Sequence, residues 1–343
     1  MSKLNILVAG STGYIGVQLI NLLVKHNKVK IKYLCGNSSI GKDISFYDKS
    51  LKNKNLPKII RFNKNLLKDV DIIFTALPNT EAQTISKSLL KQNILIDLAA
   101  DFRLEKSSNY LKWYKVKHKA PDLIKKSIYS LPEITGDKIK KFQIIACPGC
   151  YPTSILIPLI PLVKKKIIKL NNIIIDAKSG YSGAGRNVHK KFLNKNLYES
   201  LSAYGIGFHR HNSEIEQMIK KYTNQKFKIS FTPHLSPMFR GILSTIYVDL
   251  NKKQRISSLY NELVNFYRKS KFIKIKKINK MISTNDVINS NNCIISVCKS
   301  RYNNKAIILS SLDNLIKGGA GQAIQNMNIL KNFNEKEGLQ WKK

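Results

Sequence analysis

Three glycines, Gly10, Gly13 and Gly16, stand between an apolar run, Leu4–Ala9, and a segment with Ile15, Leu19, Leu22 and Leu23 at helical spacing. The spacing G-x-x-G-x-x-G between a strand buried on both faces and an amphipathic helix asks for a sharp turn. It also lets a backbone approach a pyrophosphate closely and packs helix tightly on strand. The free N–H groups of the helix N-terminus add positive potential for phosphates. The candidate nucleotide-binding residues here are Gly10, Ser11, Thr12, Gly13, Tyr14, Ile15 and Gly16.

The alternation continues. A helix is expected from about Tyr14 to His26, then strands at Val29–Cys35, Asp71–Ala76, Ile94–Leu98 and Gln143–Cys147, with a helix near Glu81–Gln92. Strands alternating with helices define an α/β chain with a Rossmann-type, doubly wound parallel sheet. After Cys150 the pattern changes. A helix from Thr153 to Lys165 and a strand at Asn172–Lys178 lead into a glycine-containing, loop-rich stretch from Ser179 to about His211. Helices near Ser213–Tyr222 and Gln254–Lys269 and strands near Phe227–Phe231, Gly241–Leu250 and Cys293–Lys299 follow. That half reads as α+β with a mostly antiparallel sheet, for catalysis and dimerisation. The expected domains are 1–150, completed by a C-terminal helix over 315–343, and 151–314.

The formal charge of +38 over 343 residues first suggests a polyanionic partner. The 59 basic residues comprise only 8 arginines and 51 lysines, however. A nucleic-acid interface favours arginine for bidentate contacts. Lysine, asparagine and isoleucine runs read instead as compositional bias on a wet surface, so neither nucleic acid nor membrane is expected as a partner. No signal peptide or spanning apolar stretch is visible, and five cysteines form no disulfide framework. The chain is expected in the cytoplasm.

At the end of the second strand an NAD site usually carries an acid for the ribose hydroxyls. Here Cys35-Gly36-Asn37-Ser38-Ser39-Ile40-Gly41-Lys42 supplies hydroxyls, an amide and a lysine. Ser38 and Lys42 would suit a 2′-phosphate, so NADP(H) is the expected cofactor. The segment Cys147-Pro148-Gly149-Cys150 joins a strand to a helix. A thiolate at a helix N-terminus is stabilised by the dipole and free amides, which favours Cys150 as nucleophile over a C-x-x-C redox pair. Its proton-transfer partner is sought among His209, His211 and His234. No metal site is expected, because the two closely spaced histidines have no third ligand nearby. His26 and His118 read as surface residues.

These segments together resemble the N-acetyl-gamma-glutamyl-phosphate reductase family over nearly the full length, in order. The matching stretches are Gly10–Gly16, Ser38–Lys42, Ala76-Leu77-Pro78, Asp97–Leu104, Tyr129–Glu133, Pro148–Thr153, Ser179–Arg186, His209–Gln217, Pro233–Gly241 and Asp313–Asn328. The resemblance implies reduction of an acyl phosphate to an aldehyde by NADPH through a Cys150 thioester, with His209 as acid–base. It implies anion-binding roles for Arg103, Arg186, Arg210 and Arg240 beside His211. It places Leu77, Pro78, Ser182, Gly183, Gln322 and Asn326 at the cofactor, and it implies a homodimer or homotetramer. Cys147 stands where many members have asparagine; a second thiol there would also allow a reversible disulfide with Cys150. Two readings compete: the lysine-pathway relative acting on a substrate one methylene longer, and a basic nucleic-acid-binding protein.

Overall fold

The computed structural model describes residues 3–37, 39–186 and 199–340. The chain divides into two compact units, residues 1–148 with 319–343, and residues 149–318. The break falls after Pro148, so Cys150 opens the second unit instead of closing the first.

The first unit is built from β1 (Leu4–Ala9), α1 (Tyr14–Leu23), β2 (Val29–Cys35), β3 (Ile59–Ile60), β4 (Ile72–Thr75), α2 (Glu81–Ser86), β5 (Ile94–Asp97), α3 (Ser107–Tyr114), β6 (Ser127–Tyr129), α4 (Pro132–Thr135) and β7 (Ile144–Ala146). The strands form one seven-stranded sheet in the order β3-β2-β1-β4-β5-β7-β6, parallel throughout. Strand order reverses beside β1, which makes the loop after β1 the topological switch point where such sheets bind ligands. The C-terminal helix, Gly321–Leu330, belongs to this unit and packs on α1 and α4.

Two expectations are corrected here. Helix α2 ends at Ser86 and not near Gln92. His26 and His118 are not surface residues: both are buried, at 3% and 9% exposure. The His26 ring bonds Asn328 Oδ1 through Nε2 (2.9 Å), and His118 Nε2 bonds the Asp101 carbonyl (2.8 Å). A histidine on a short polar turn looks exposed in sequence, but here a distant segment folds over each ring.

The second unit contains α5 (Cys150–Lys164), β8 (Ile173–Gly180), β9 (Ser202–Ala203), α6 (His211–Tyr222), β10 (Ile229–Ser236), β11 (Ile242–Asp249), α7 (Ile256–Tyr267), β12 (Ile273–Ile275), β13 (Cys293–Lys299) and β14 (Lys305–Leu312). Its sheet runs β12-β13-β14-β11-β8-β10-β9. The β12–β13 and β8–β10 pairs are parallel and the other four antiparallel, so the sheet is mixed and mostly antiparallel. Helix α5 is buried along almost its whole length against α6, α7, β11 and β14.

Helix α5 starts three residues before the expected Thr153. Pro152 falls in its first turn, where a missing N–H costs nothing. Strand β14 has no counterpart in the sequence reading. Its Ser310 and Ser311 are fully buried, and Ser311 donates to the carbonyl of Ile242 (3.0 Å), so hydropathy alone hides it. Strand β10 runs on to Ser236 and takes in His234.

Candidate functional site

In the first unit the glycine loop folds as its sequence demands. Gly10 has φ +83°, and a Cβ there would stand 2.3 Å from the Ala76 carbonyl oxygen and 3.2 Å from Leu77. A Cβ on Gly16 would stand 2.1 Å from the Gly10 carbonyl oxygen. Only glycine permits either approach. Gly10 and Ser11 donate their N–H groups to the Cys35 carbonyl at 3.0 and 3.1 Å, and the Ser11 hydroxyl joins them (3.1 Å). The loop is thus tied to the end of β2.

Gly13 caps α1 with no side-chain bond, and no acid lies in the first turn. A Cβ on Gly13 would meet only the Gly10 oxygen, at 3.8 Å. This end of α1 therefore fits a dinucleotide pyrophosphate: amide donors, positive dipole, no capping carboxylate and space. Thr12, Tyr14 and Ile15 are half-buried around it. Leu77 packs under Gly10 while Pro78 is exposed. Lys42 is exposed, with Nζ 4.6 Å from the centre of the Phe46 ring. Ser38 lies outside the described residues.

The Asp97–Leu104 motif holds strand ends. Asp97 Oδ1 accepts from the Thr75 hydroxyl (2.7 Å) and Ala99 N–H (3.0 Å); full burial and neighbouring Asp101 raise its pKa. The Asp101 carboxylate accepts from Thr80 N–H, the Gln83 side chain and the Tyr110 hydroxyl, which fixes the start of α2. Arg103, 8% exposed, donates Nε to the Cys147 carbonyl and Nη2 to the Leu98 carbonyl, both at 2.9 Å. Asn326 accepts from the Ser130 hydroxyl (2.7 Å) and donates to Cys147 Sγ (3.7 Å). Gln322, one turn earlier, is also buried. Burial pushes the Cys147 thiol up to about 12.

In the second unit Cys150, a half-buried free thiol, is the first residue of α5. The preceding Gly149 donates its N–H to Glu214 Oε2 (2.9 Å). A Cβ on Gly149 would lie 2.4 Å from His211 Nε2, so glycine here is what admits the imidazole. Glu214 is fully buried, with Oε1 3.9 Å from His211 Nε2. Tyr151 anchors the same turn by donating to the His234 carbonyl (3.0 Å).

His209 and His211 rings stand 4.7 Å apart, and Tyr151, Tyr204 and Phe231 surround His209 edge-on. Desolvation, then the positive Arg210, lowers the His209 pKa to about 4. Its Nδ1 accepts the His211 N–H (3.2 Å), so the neutral ring carries its proton on Nε2. Burial pushes Tyr204 up to about 12, and Cys150 adds to the shift. From above, a Cβ on Gly318 would stand 2.7 Å from Cys150 Cβ.

The other predicted residues divide. Arg210 is exposed and Arg186 half-buried. Arg240 bonds Asn289 Oδ1 (2.6 Å) and the buried Asp313 (3.2 Å). Ser182 is buried and accepts from Asn314 Nδ2 (2.9 Å); Gly183 follows it. His234 lies on β10, with Nδ1 3.1 Å from Asp176, and its ring is in none of the contacts around His209. Sequence reasoning missed Tyr204, Glu214 and Gly318. Glu214 carried a signal as the acid in His209–Gln217, and Gly318 as a glycine of the Asp313–Asn328 stretch. Among the described residues, no cluster of three or more His, Cys, Asp or Glu could hold a metal ion.

Residues 5–142 match the semialdehyde dehydrogenase NAD-binding domain and residues 150–314 the semialdehyde dehydrogenase dimerisation domain. The fold agrees with aspartate semialdehyde dehydrogenase II from Vibrio cholerae, at TM-score 0.73 and 16% identity over 96% of this chain and 99% of that one. The enzyme from Candida albicans aligns at TM-score 0.68 and 18% identity, over 96% and 99%. The chain is thus a two-domain, nicotinamide-dinucleotide-binding protein of semialdehyde dehydrogenase type.

Nearer relatives are N-acetyl-gamma-glutamyl-phosphate reductases. The one from Ehrlichia ruminantium is 43% identical, covering 98% of this chain and 97% of its own. That from Clostridium kluyveri is 43% identical over 97% and 96%. A probable chloroplastic one from Oryza sativa is 39% identical over 99% and 82%. The chain belongs to the N-acetyl-gamma-glutamyl-phosphate reductase family.

Proposed function

We propose that this protein reduces N-acetyl-L-glutamyl 5-phosphate to N-acetyl-L-glutamate 5-semialdehyde and phosphate, with NADPH as reductant. The observation that carries the reading is Cys150 at the first position of α5, beside the desolvated His209 and its neighbour His211, in a chain of this family.

Cys150 is the nucleophile. The N-terminus of α5 stabilises its thiolate, which forms the C–S bond to the acyl carbon while the C–O bond to phosphate breaks. The departing phosphate takes up one proton. When bound, the reduced nicotinamide supplies the hydride that takes the thioester carbon to the aldehyde level. His209 presents Nε2–H as a donor to the oxyanion that develops on that carbon. As the carbonyl reforms, the C–S bond breaks and Cys150 returns as thiolate. Glu214 holds the Gly149 amide, and with it the turn that aims Cys150. Arg186, Arg210 and Arg240 are the anion-site candidates in this unit, whereas Arg103 acts by fixing the strand end before the nucleophile loop.

Ser38 and Lys42, with no acid at the end of β2, favour NADP(H) over NAD(H). The oligomer is a dimer built on the open sheet face of the second unit. Among the described residues no helix is long and apolar enough to cross a membrane, and the cytoplasm is the compartment we assign.

The test is phosphate-dependent reduction of NADP by the purified protein with N-acetylglutamate semialdehyde. Activity is expected, and Cys150→Ser should lower it by about 10³-fold or more. A fully active Cys150→Ser enzyme would sink the thioester route. Preference for the substrate one methylene longer would overturn the substrate and keep the chemistry.

A further inference from the structure

The adenosine end of a dinucleotide in a sheet of this kind lies beyond the carboxyl end of β2, beside the loop that follows β1. There β2 ends in Cys35, Gly36 and Asn37, with neither a carboxylate nor a guanidinium. Gly36 fills the narrow space between the glycine loop and β3: a Cβ on it would meet Ile59 Cγ2 at 3.2 Å, and Ser11 Oγ and Thr12 Cγ2 at 3.7 Å. Its N–H donates to the Ile60 carbonyl (3.0 Å). The residue that directly follows β3 is Arg61.

Arg61 is exposed, and no hydrogen bond or ion pair ties it to any described residue. Lys42 is laced to the same strand, because Ile59 N–H donates to the Lys42 carbonyl (3.0 Å) and Gly41 N–H to the Ile59 carbonyl (2.8 Å). The adjacent acid, Asp43, is engaged in capping Ser45 N–H (2.7 Å). Two exposed cations thus stand near the end of β2: Arg61 directly after β3, and Lys42 in the segment bonded to Ile59. In a chain with 51 lysines and 8 arginines, arginine at this position is notable for its chemistry. A guanidinium makes paired hydrogen bonds to a phosphate that an ammonium cannot.

We infer that Arg61 binds the 2′-phosphate of NADP(H), with Lys42, and so determines the cofactor preference. This rests on the NADP reading and adds to it the residue that follows β3. Among the described residues Arg61 makes no hydrogen bond or ion pair, so its replacement should leave the protein intact.

The test is titration calorimetry on the full chain with 2′,5′-ADP and with 5′-AMP, which differ only in the 2′-phosphate. The wild type should prefer 2′,5′-ADP. Arg61→Ala should lose about 10- to 100-fold in affinity for 2′,5′-ADP and stay within about twofold for 5′-AMP, while Arg61→Lys recovers part of the loss. A wild-type preference that survives intact in Arg61→Ala overturns the assignment and leaves NADP standing. Equal losses for both nucleotides overturn it too, because the effect would then be on the fold. A wild type that binds the two nucleotides equally overturns the NADP reading itself, and Arg61 with it.

Discussion

His209 is the residue whose chemistry the fold sets most firmly. With Nδ1 committed to the His211 amide and its pKa lowered to about 4, it is a neutral Nε2–H donor across the working pH range. Its expected pKa in an unfolded chain is near 6.5. A folded value below the unfolded one means that its contribution to stability is complete above pH 6.5 and drains away as pH falls towards about 4. His209→Asn should therefore lessen the loss of unfolding free energy between pH 7 and 4.5 by about 2 kcal/mol, read from urea curves at each pH. Nitrogen-15 NMR of the histidines should show the Nε2–H tautomer with a midpoint well below 6. A midpoint near 6.5 would remove the desolvated-donor role. Cys150 and His209 were legible in the sequence because each lies in a motif. The burial of His26 and His118 was not, since Asn328 lies far along the chain from His26 and Asp101 meets His118 through its backbone.

At the scale of elements, Cys150 is held by the turn Gly149–Cys150 on one side and by Gly318 on the other. Gly318 sits in a π-helical turn, Ile316–Ala320, whose start is fixed by Asp313 accepting from Leu315 N–H (2.9 Å). Such turns widen a helix locally and recur at functional sites. A methyl at 318 would press on the Cα–Cβ bond of Cys150. Gly318→Ala should cost about 1–3 kcal/mol of stability and lower kcat by about 10²-fold through misplacement of the thiolate. The rate of Cys150 alkylation by iodoacetamide should fall with it. Unchanged kcat and alkylation would show that the turn yields freely. Strand and helix alternation in the first half was readable because parallel strands buried on both faces are continuous apolar runs. In the second half, buried serines on β14 and a proline and a histidine within β10 broke the pattern. The serines are satisfied by partners that only the sheet brings near: the Ile242 carbonyl for Ser311 and the Cys293 thiol for Ser310.

On the whole-molecule scale the charge of +38 and the open sheet face of the second unit oppose each other. Across four strands the register aligns Ile174 with Tyr247, Tyr247 with Ile307 and Ile307 with Cys298. Ile174 and Tyr247 are 43% and 44% exposed, while α5 and α7 cover the opposite face. Such a row, in a segment that matches a dimerisation domain, is the surface a second copy would cover. Two chains of +38 repel each other over roughly a Debye length, about 10 Å at 0.1 M salt. Added salt should therefore tighten the dimer, with the midpoint concentration in sedimentation velocity falling between 0.05 and about 0.5 M. Tyr247→Lys should raise that midpoint about 10-fold or more by placing a desolvated cation at the centre of the row. Binding to a polyanion runs the other way, since counterion release weakens it steeply as salt rises. Dissociation of the dimer by salt, or no effect of Tyr247→Lys, would move the interface elsewhere. A tightening with salt makes the lysines a cost that the apolar row offsets.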